Sequence, residues 1–225
     1  MAMKNMGLKI AWRFVLFFVF MVALFFVPAG TFNWPEAWLY IAMLTAYFAC
    51  LVFYLKKHCP ELLEKRTKMV GEKSWDNAAV GLAGVFIFAS LIVSALEYGQ
   101  LRGSAVPLEV RALGFVFIAL SCIGLFFVMK ENAYLMRIVK IQKGQKVVST
   151  GPYQIVRHPM YAIVMVMFSF TPLALGSLYG VLPALISDLF VIMRTYKEDR
   201  MLHGELPGYK EYAEKTRYRL VPGIW

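Results

Sequence analysis

Gly151-Pro152-Tyr153 and Arg157-His158-Pro159-Met160-Tyr161, followed after an apolar stretch by Arg194, Lys197 and Glu198, put donors, acceptors and aromatic rings where hydrophobic segments end. Gln145 lies just upstream. Such groups persist at a bilayer surface only if they are solvated, paired or used. An arginine offers a planar fork that orients an anion and keeps its charge. An aromatic face favours a cation. Taken singly, each has a mundane explanation. Proline suits a first helical turn, and an Arg194–Glu198 pair four residues apart is worth only about 0.3–0.5 kcal/mol on a surface. Gln145, Tyr153, Arg157, His158, Tyr161, Arg194 and Glu198 meeting at one membrane edge is harder to dismiss.

The elements that must position them are hydrophobic. Of the 225 residues 60% are hydrophobic and 17% charged, and the mean hydropathy is +0.59. Soluble domains are nearer 45–50% apolar. The excess sits in six blocks, near 8–28, 35–55, 78–97, 109–129, 160–176 and 177–194. A span needs about 20 apolar residues, which the first four blocks supply. The last two are short and nearly continuous, broken at Gly176-Ser177. As one helix they would overshoot a core of about 30 Å, so they are expected to form a hairpin. The fold class is therefore all-α: a polytopic membrane bundle of about six transmembrane helices, with a C-terminal hairpin and a cytoplasmic loop and tail. Residues 1–129 are the expected four-helix membrane region and 130–225 the catalytic core. The hairpin brings the regions near 160 and 194 back to the same surface.

The formal charge of +10 is sorted by topology. Residues 4–9, 56–77, 130–157 and 194–225 carry 21 of the 24 Lys and Arg, leaving Arg102 and Arg111 on the other side and Arg13 within the first block. This positive-inside pattern puts both termini in the cytoplasm. It assigns the basic excess to anionic lipid headgroups rather than to nucleic acid. Cys50, Cys59 and Cys122 and the three histidines have no metal-ligand spacing, so no metal is expected. Cys50 and Cys122 are expected to pack within spans.

Three cytoplasmic stretches remain. Residues 56–77 read equally as an interfacial segment, through Leu62, Leu63 and Met69, or as a solvated connector. The segment 130–140 can prolong the preceding helix, with turns at 142–146 and 149–152 around an extended Val147-Val148. A long ordered connection of this kind is usually functional. The tail is expected to be helical from 194, broken at Gly204 and Pro207-Gly208, helical again over 209–215, and extended over 217–225.

Val147-Val148-x-x-Gly151-x-Tyr153, Arg157-His158-Pro159-x-Tyr161, Arg194-x-x-Lys197-Glu198 and Gly208-Tyr209-x-x-Tyr212, in that order, make residues from about 130 to 225 resemble the isoprenylcysteine carboxyl methyltransferase family. That family belongs to a wider group including phospholipid N-methyltransferases. The resemblance implies an integral-membrane enzyme using S-adenosyl-L-methionine at a cytoplasmic pocket, with a lipid-like or amphiphilic acceptor entering from the bilayer. It implies that Gln145, Lys146, Val147, Val148, Tyr153, His158, Pro159, Met160, Tyr161 and Glu198 line the cofactor site, and that Arg194 is the catalytic, substrate-orienting residue. Gln145 departs from a histidine found there in some relatives. The tail 217–225 resembles the bacterial branch, implying an inner-membrane location.

Arg194 favours a carboxylate or thiol-derived acceptor. An amine acceptor, or no enzyme at all but a small transporter or scaffold, are the rivals. Asp188, inside the sixth block, is the second substrate-site candidate, because an intramembrane carboxylate reads as functional. It either lines the substrate path or meets Arg13. No glycine-rich dinucleotide motif is present.

Overall fold

A computed structural model describes residues 2–67, 74–104, 106–132, 134–135, 141–142 and 144–225, with side chains described except at 2–10, 64–67 and 74. Every regular element among them is helical: α1 (Ala2–Ala29), α2 (Pro35–His58), α3 (Pro60–Thr67), α4 (Ser74–Leu101), α5 (Leu108–Glu131), α6 (Pro159–Ala174), α7 (Val181–Glu205) and α8 (Tyr209–Lys215), with a 3₁₀ turn at Gly151–Gln154. Four are long and apolar enough to cross a membrane: α1 from Ala11, α2, α4 from Trp75, and α5. α6 is apolar but has only 16 residues.

Composition explains the inverted outside. Val15, Phe20, Val27, Phe53, Val85 and Leu120 are all exposed, as expected where the solvent is acyl chain rather than water. The core is nevertheless well packed. Phe25, Trp34, Ala37, Ile41, Ala95, Ile118 and Ala174 join α1, α2, α4, α5 and α6. Trp34 stacks on Tyr98 at 4.6 Å and meets Phe25 edge-on at 5.6 Å.

α6 and α7 form the expected hairpin, turning at residues 175–180. Two features place that turn. Gly176 has φ +85°, a left-handed conformation that glycine adopts without a Cβ penalty. The buried Glu97 of α4 accepts hydrogen bonds from the Ser177 hydroxyl and from the Leu178 and Tyr179 amides, the latter two at 3.3 and 3.1 Å. α7 then runs along α4, burying Ala184, Ser187, Asp188, Val191, Thr195 and Asp199 at helical spacing. The Ser187 hydroxyl donates to the Ala83 carbonyl at 2.8 Å.

α5 lies as closely against α6. A Cβ added at Gly114 would stand 2.8 Å from the Ala174 nitrogen. Gly114→Val is therefore expected to cost about 1–3 kcal/mol through overpacking, read as a lower melting temperature in detergent. Gly84→Val serves as the control, because nothing lies within 4 Å of a Cβ there.

Four expectations need correction. Part of 56–77 is not a solvated connector: α3 folds back, and Leu62 and Leu63 bury against Leu51, Leu55 and Met129. Met69 lies outside the described residues. α5 stops at Glu131, with Asn132 extended, so the helix is not prolonged there, and 136–140 lie outside the described residues. The end of the tail is turned rather than extended. The amides of Arg219, Leu220 and Val221 donate to Trp225 oxygen at 2.9, 3.0 and 3.3 Å, and the Arg219 guanidinium lies 5.0 Å from the Trp225 ring centre. Cys50 is also exposed rather than packed.

Candidate active site

The 3₁₀ turn, the start of α6, the second half of α7 and α8 converge on one cleft. Tyr153 enters from the turn. Pro159 opens α6 directly after His158, so Met160 and Tyr161 follow in its first turn. Glu198 comes from α7 and Tyr209 and Tyr212 from α8. All the residues expected around the cofactor line this cleft: Gln145, Lys146, Val147 and Val148 from the loop, Tyr153 from the turn, His158, Pro159, Met160 and Tyr161 at the α6 start, and Glu198 opposite.

Tyr161 links the two halves. Its hydroxyl donates to Glu198 Oε2 at 2.5 Å, and its ring carries the Arg194 guanidinium at 5.2 Å. Tyr153 accepts from Asn132 Nδ2 at 2.9 Å, and the Tyr212 hydroxyl donates to the Tyr153 carbonyl at 2.7 Å. Burial pushes the Tyr153 phenol well above its ordinary range, against the lowering effect of Asn132. Burial, then Asp199, does the same to Tyr209, and burial lifts Tyr212 to about 12. These phenols stay neutral near pH 7 and offer ring faces and hydrogen bonds, not a base.

Arg194 stands outside the cleft lining. Its Nε donates to Asp76 Oδ1 at 2.7 Å, from a residue at the start of α4 that is 1% exposed. Its guanidinium lies against the ring of Tyr161, which does line the cleft. Asp188 is further away, in a different groove. Its Oδ2 accepts from Ser169 at 2.6 Å, and no α1 residue lines that groove among the described residues. Arg13 is therefore not its partner.

Sequence reasoning missed the group that holds the site together. Asp199, 1% exposed, accepts from Arg157 Nε and Nη2 at 2.8 and 3.1 Å, Arg219 Nε at 2.8 Å and the Tyr209 hydroxyl at 2.9 Å. His158 Nε2 lies 3.1 Å from the same carboxylate. That nitrogen is thus committed to Asp199 rather than offered to a ligand's carboxylate. Burial would raise the Asp199 pKa, but the bonds from His158, Arg157 and Arg219 hold the carboxyl well below its usual range. Arg157 also donates to the Thr216 and Arg217 carbonyls at 2.9 and 2.8 Å, while the Arg157 and His158 amides donate to the Tyr218 and Arg219 carbonyls at 2.9 Å each. The tail is latched to the entrance of α6 by these bonds.

A signal for part of this was present. Leu202, which also lines the cleft, follows Glu198 by four residues and so continues its helix face. Asp199 gave less sign: His203 lies four residues on and Tyr209 ten, but the cationic partners that bury it lie 41 and 42 residues before it and 20 after.

Residues 112–204 match the family model described as Isoprenylcysteine carboxyl methyltransferase (ICMT) family. Over this segment the chain is similar to the isoprenylcysteine carboxyl methyltransferase family. The match starts earlier than the expected 130, inside α5, and ends near the close of α7, so the Gly208-Tyr209-x-x-Tyr212 piece falls beyond it. No curated protein matches the chain. The matched family is one of methyltransferases, and the four apolar helices make the chain a membrane protein. Among the described residues no group of His, Cys, Asp or Glu is arranged to hold a metal ion.

Proposed function

We propose that the chain transfers a methyl group from S-adenosylmethionine, held in the cleft, to a lipid-like acceptor that arrives from the bilayer. The observation that carries this reading is the cleft itself, which joins an acid, phenol faces and an apolar wall from two distant stretches of sequence. The donor set fits such a group. Glu198 suits hydroxyl or ammonium groups, Tyr153 and Tyr161 suit an adenine ring or a sulfonium, and Val147, Val148, Pro159 and Met160 make the dry wall. Gln145 and Lys146 close the loop side, and His158 stiffens the floor through Asp199. The cavity volume is only about 100 Å³, against some 300–1,000 Å³ for most small-molecule sites, so a nucleoside fits only if the loop wall moves outward.

When bound, the cofactor supplies an electrophilic methyl group on sulfur. The chain's own task is then positioning and exclusion of water. A carboxylate acceptor is already ionised at neutral pH and needs no general base. Arg194, braced by Asp76 and Tyr161, is the cation that orients it. α6 and α7 serve as the fifth and sixth spans, so that the cleft and both termini share one side, and the basic residues gathered there favour the cytoplasm at a bacterial inner membrane. Residues 1–129 act as the scaffold and 130–225 as the catalytic part.

One observation favours a second reading, methylation of an amine: the Arg194 charge is already matched by Asp76, whereas Glu198 faces the cleft. Calorimetric titration with S-adenosylhomocysteine tests the shared part of both readings. Folded protein that shows no binding would point to a transporter or scaffold instead. Assays with matched carboxylate, thiol and amine lipids separate the acceptors. Arg194→Ala is expected to keep product affinity within about threefold while lowering turnover at least about tenfold, the loss of one charge-assisted bond to the acceptor. Equal loss of both would place Arg194 in cofactor binding.

A further inference from the structure

The cleft accounts for the cytoplasmic ends of α6 and α7 but not for their membrane-facing sides. There a groove of about 640 Å³ runs between the two helices and ends against Leu220, Val221 and Pro222 of the tail. Its volume lies within the range of small-molecule sites. Val166, Phe170, Leu185 and Leu189 form its walls. Leu185 and Leu189 are 48% and 58% exposed, so the groove opens sideways, where acyl chains are the surroundings.

One residue breaks the apolar lining. Asp188 is 5% exposed. Ser169 satisfies its Oδ2, but Oδ1 is buried with no hydrogen-bond partner. A buried polar atom left unpaired is costly, and a carboxyl at this depth in a membrane protein is a functional position by default. A plain hydrocarbon in the groove would leave Oδ1 unpaired. A permanent cation would have to shed its whole hydration shell to reach it. A neutral hydroxyl or secondary amide fits best, because it donates to a carboxylate and pairs equally with a protonated acid.

We infer that this groove binds a single-chain amphiphile whose chain carries a neutral hydrogen-bond donor, a hydroxyl or amide, seated on Asp188 Oδ1. Helical rise separates Asp188 from Arg194 by about 9 Å along α7 and from Glu198 by about 15 Å. Ala162 lines the groove and its neighbour Tyr161 lines the cleft. A chain held at Asp188 therefore points its head toward the cleft. That this amphiphile is the methyl acceptor rests on the proposed function; its binding in the groove does not.

The test compares N-dodecylacetamide with dodecyl acetate, which has the same shape but lacks the N–H. In purified full-length protein the amide is expected to raise the melting temperature more than the ester, with an affinity ratio of about fivefold, the size of one net hydrogen bond. In Asp188→Leu the two probes should become equivalent. To locate the site, Leu185→Cys is placed in a background where Cys50, Cys59 and Cys122 are replaced by alanine, and maleimide labelling is timed. The amide should slow labelling more than the ester. Equal effects of the two probes, or an amide preference that survives in Asp188→Leu, would overturn the inference. Product titration on the same preparation separates the two ideas. Cofactor-product binding without amide preference sinks only the groove, whereas amide preference without product binding sinks only the methyltransferase reading.

Discussion

Glu198→Ala is expected to lose measurable binding of S-adenosylhomocysteine. Glu198 is the one carboxylate lining the cleft among the described residues, and it already accepts from the Tyr161 hydroxyl. Two hydrogen bonds to an ionised acceptor, each worth about 1.5–3 kcal/mol, amount to at least about a hundredfold in affinity. Glu198→Gln keeps the shape without the charge and should fall between. The glutamate is partly exposed on the second half of α7, so the alanine variant should melt close to the parent temperature. Calorimetry on both variants decides the matter. Affinity within about threefold of the parent would mean that the ligand is held elsewhere.

The second large effect falls on stability. Asp199→Asn leaves Arg157, Arg219 and His158 gathered around a neutral amide in a site that is 1% exposed. Breaking one side of a buried charge network costs about 3–5 kcal/mol. A lower melting temperature in detergent, together with protease sensitivity at the tail, is the expected outcome. A change of no more than about a degree, when 1 kcal/mol typically moves a domain of this size by some 2–4 °C, would show that the network is not structural.

The pH dependence follows from the same group. The folded-state pKa of Asp199 is depressed, so its contribution is fully present above the ordinary carboxylate value of about 3.9. It is lost as pH falls from there through the folded value. The parent protein should therefore lose stability on acidification below about pH 4, and Asp199→Asn should lack that component.

The two variants also separate binding from scaffolding. Glu198 faces the cleft and should change affinity with little change in melting. Asp199 faces the protein and should change both, because Arg157 ties the tail to the start of α6 through the Thr216 and Arg217 carbonyls. A variant series in which the two effects were exchanged would assign the ligand to the Asp199 side.

How far the site could be read in advance depended on how local its cause was. The residues expected around the cofactor meet at one cleft because their positions follow from short-range facts: a turn at Gly151-Pro152, a helix opening at Pro159, and a hairpin required by the length of the apolar run. Arg194 and Asp188 were singled out by charge, and charge does not say which way a side chain faces. Arg194 turned to Asp76, a residue 118 positions away, and Asp188 turned into an apolar groove instead of toward Arg13. The loop at 56–77 carried an apolar pair whose destination depended on how α3 folds back along α2.

By itself the sequence determined the class of structure and the membrane setting. Hydropathy over windows of about 20 residues and the sorting of basic groups are sums over many residues, and they survive any detail of packing. It also determined the order of the motifs and the family they point to. Only the tertiary structure decided the partners of the charged groups. Taking a charge out of water obliges it to find a counter-charge, and which one it finds depends on helices brought side by side from distant parts of the chain. Asp199 with Arg157, Arg219 and His158, and Arg194 with Asp76, are such pairings, fixed by the packing of α7 against α4 and by the return of the tail to the start of α6.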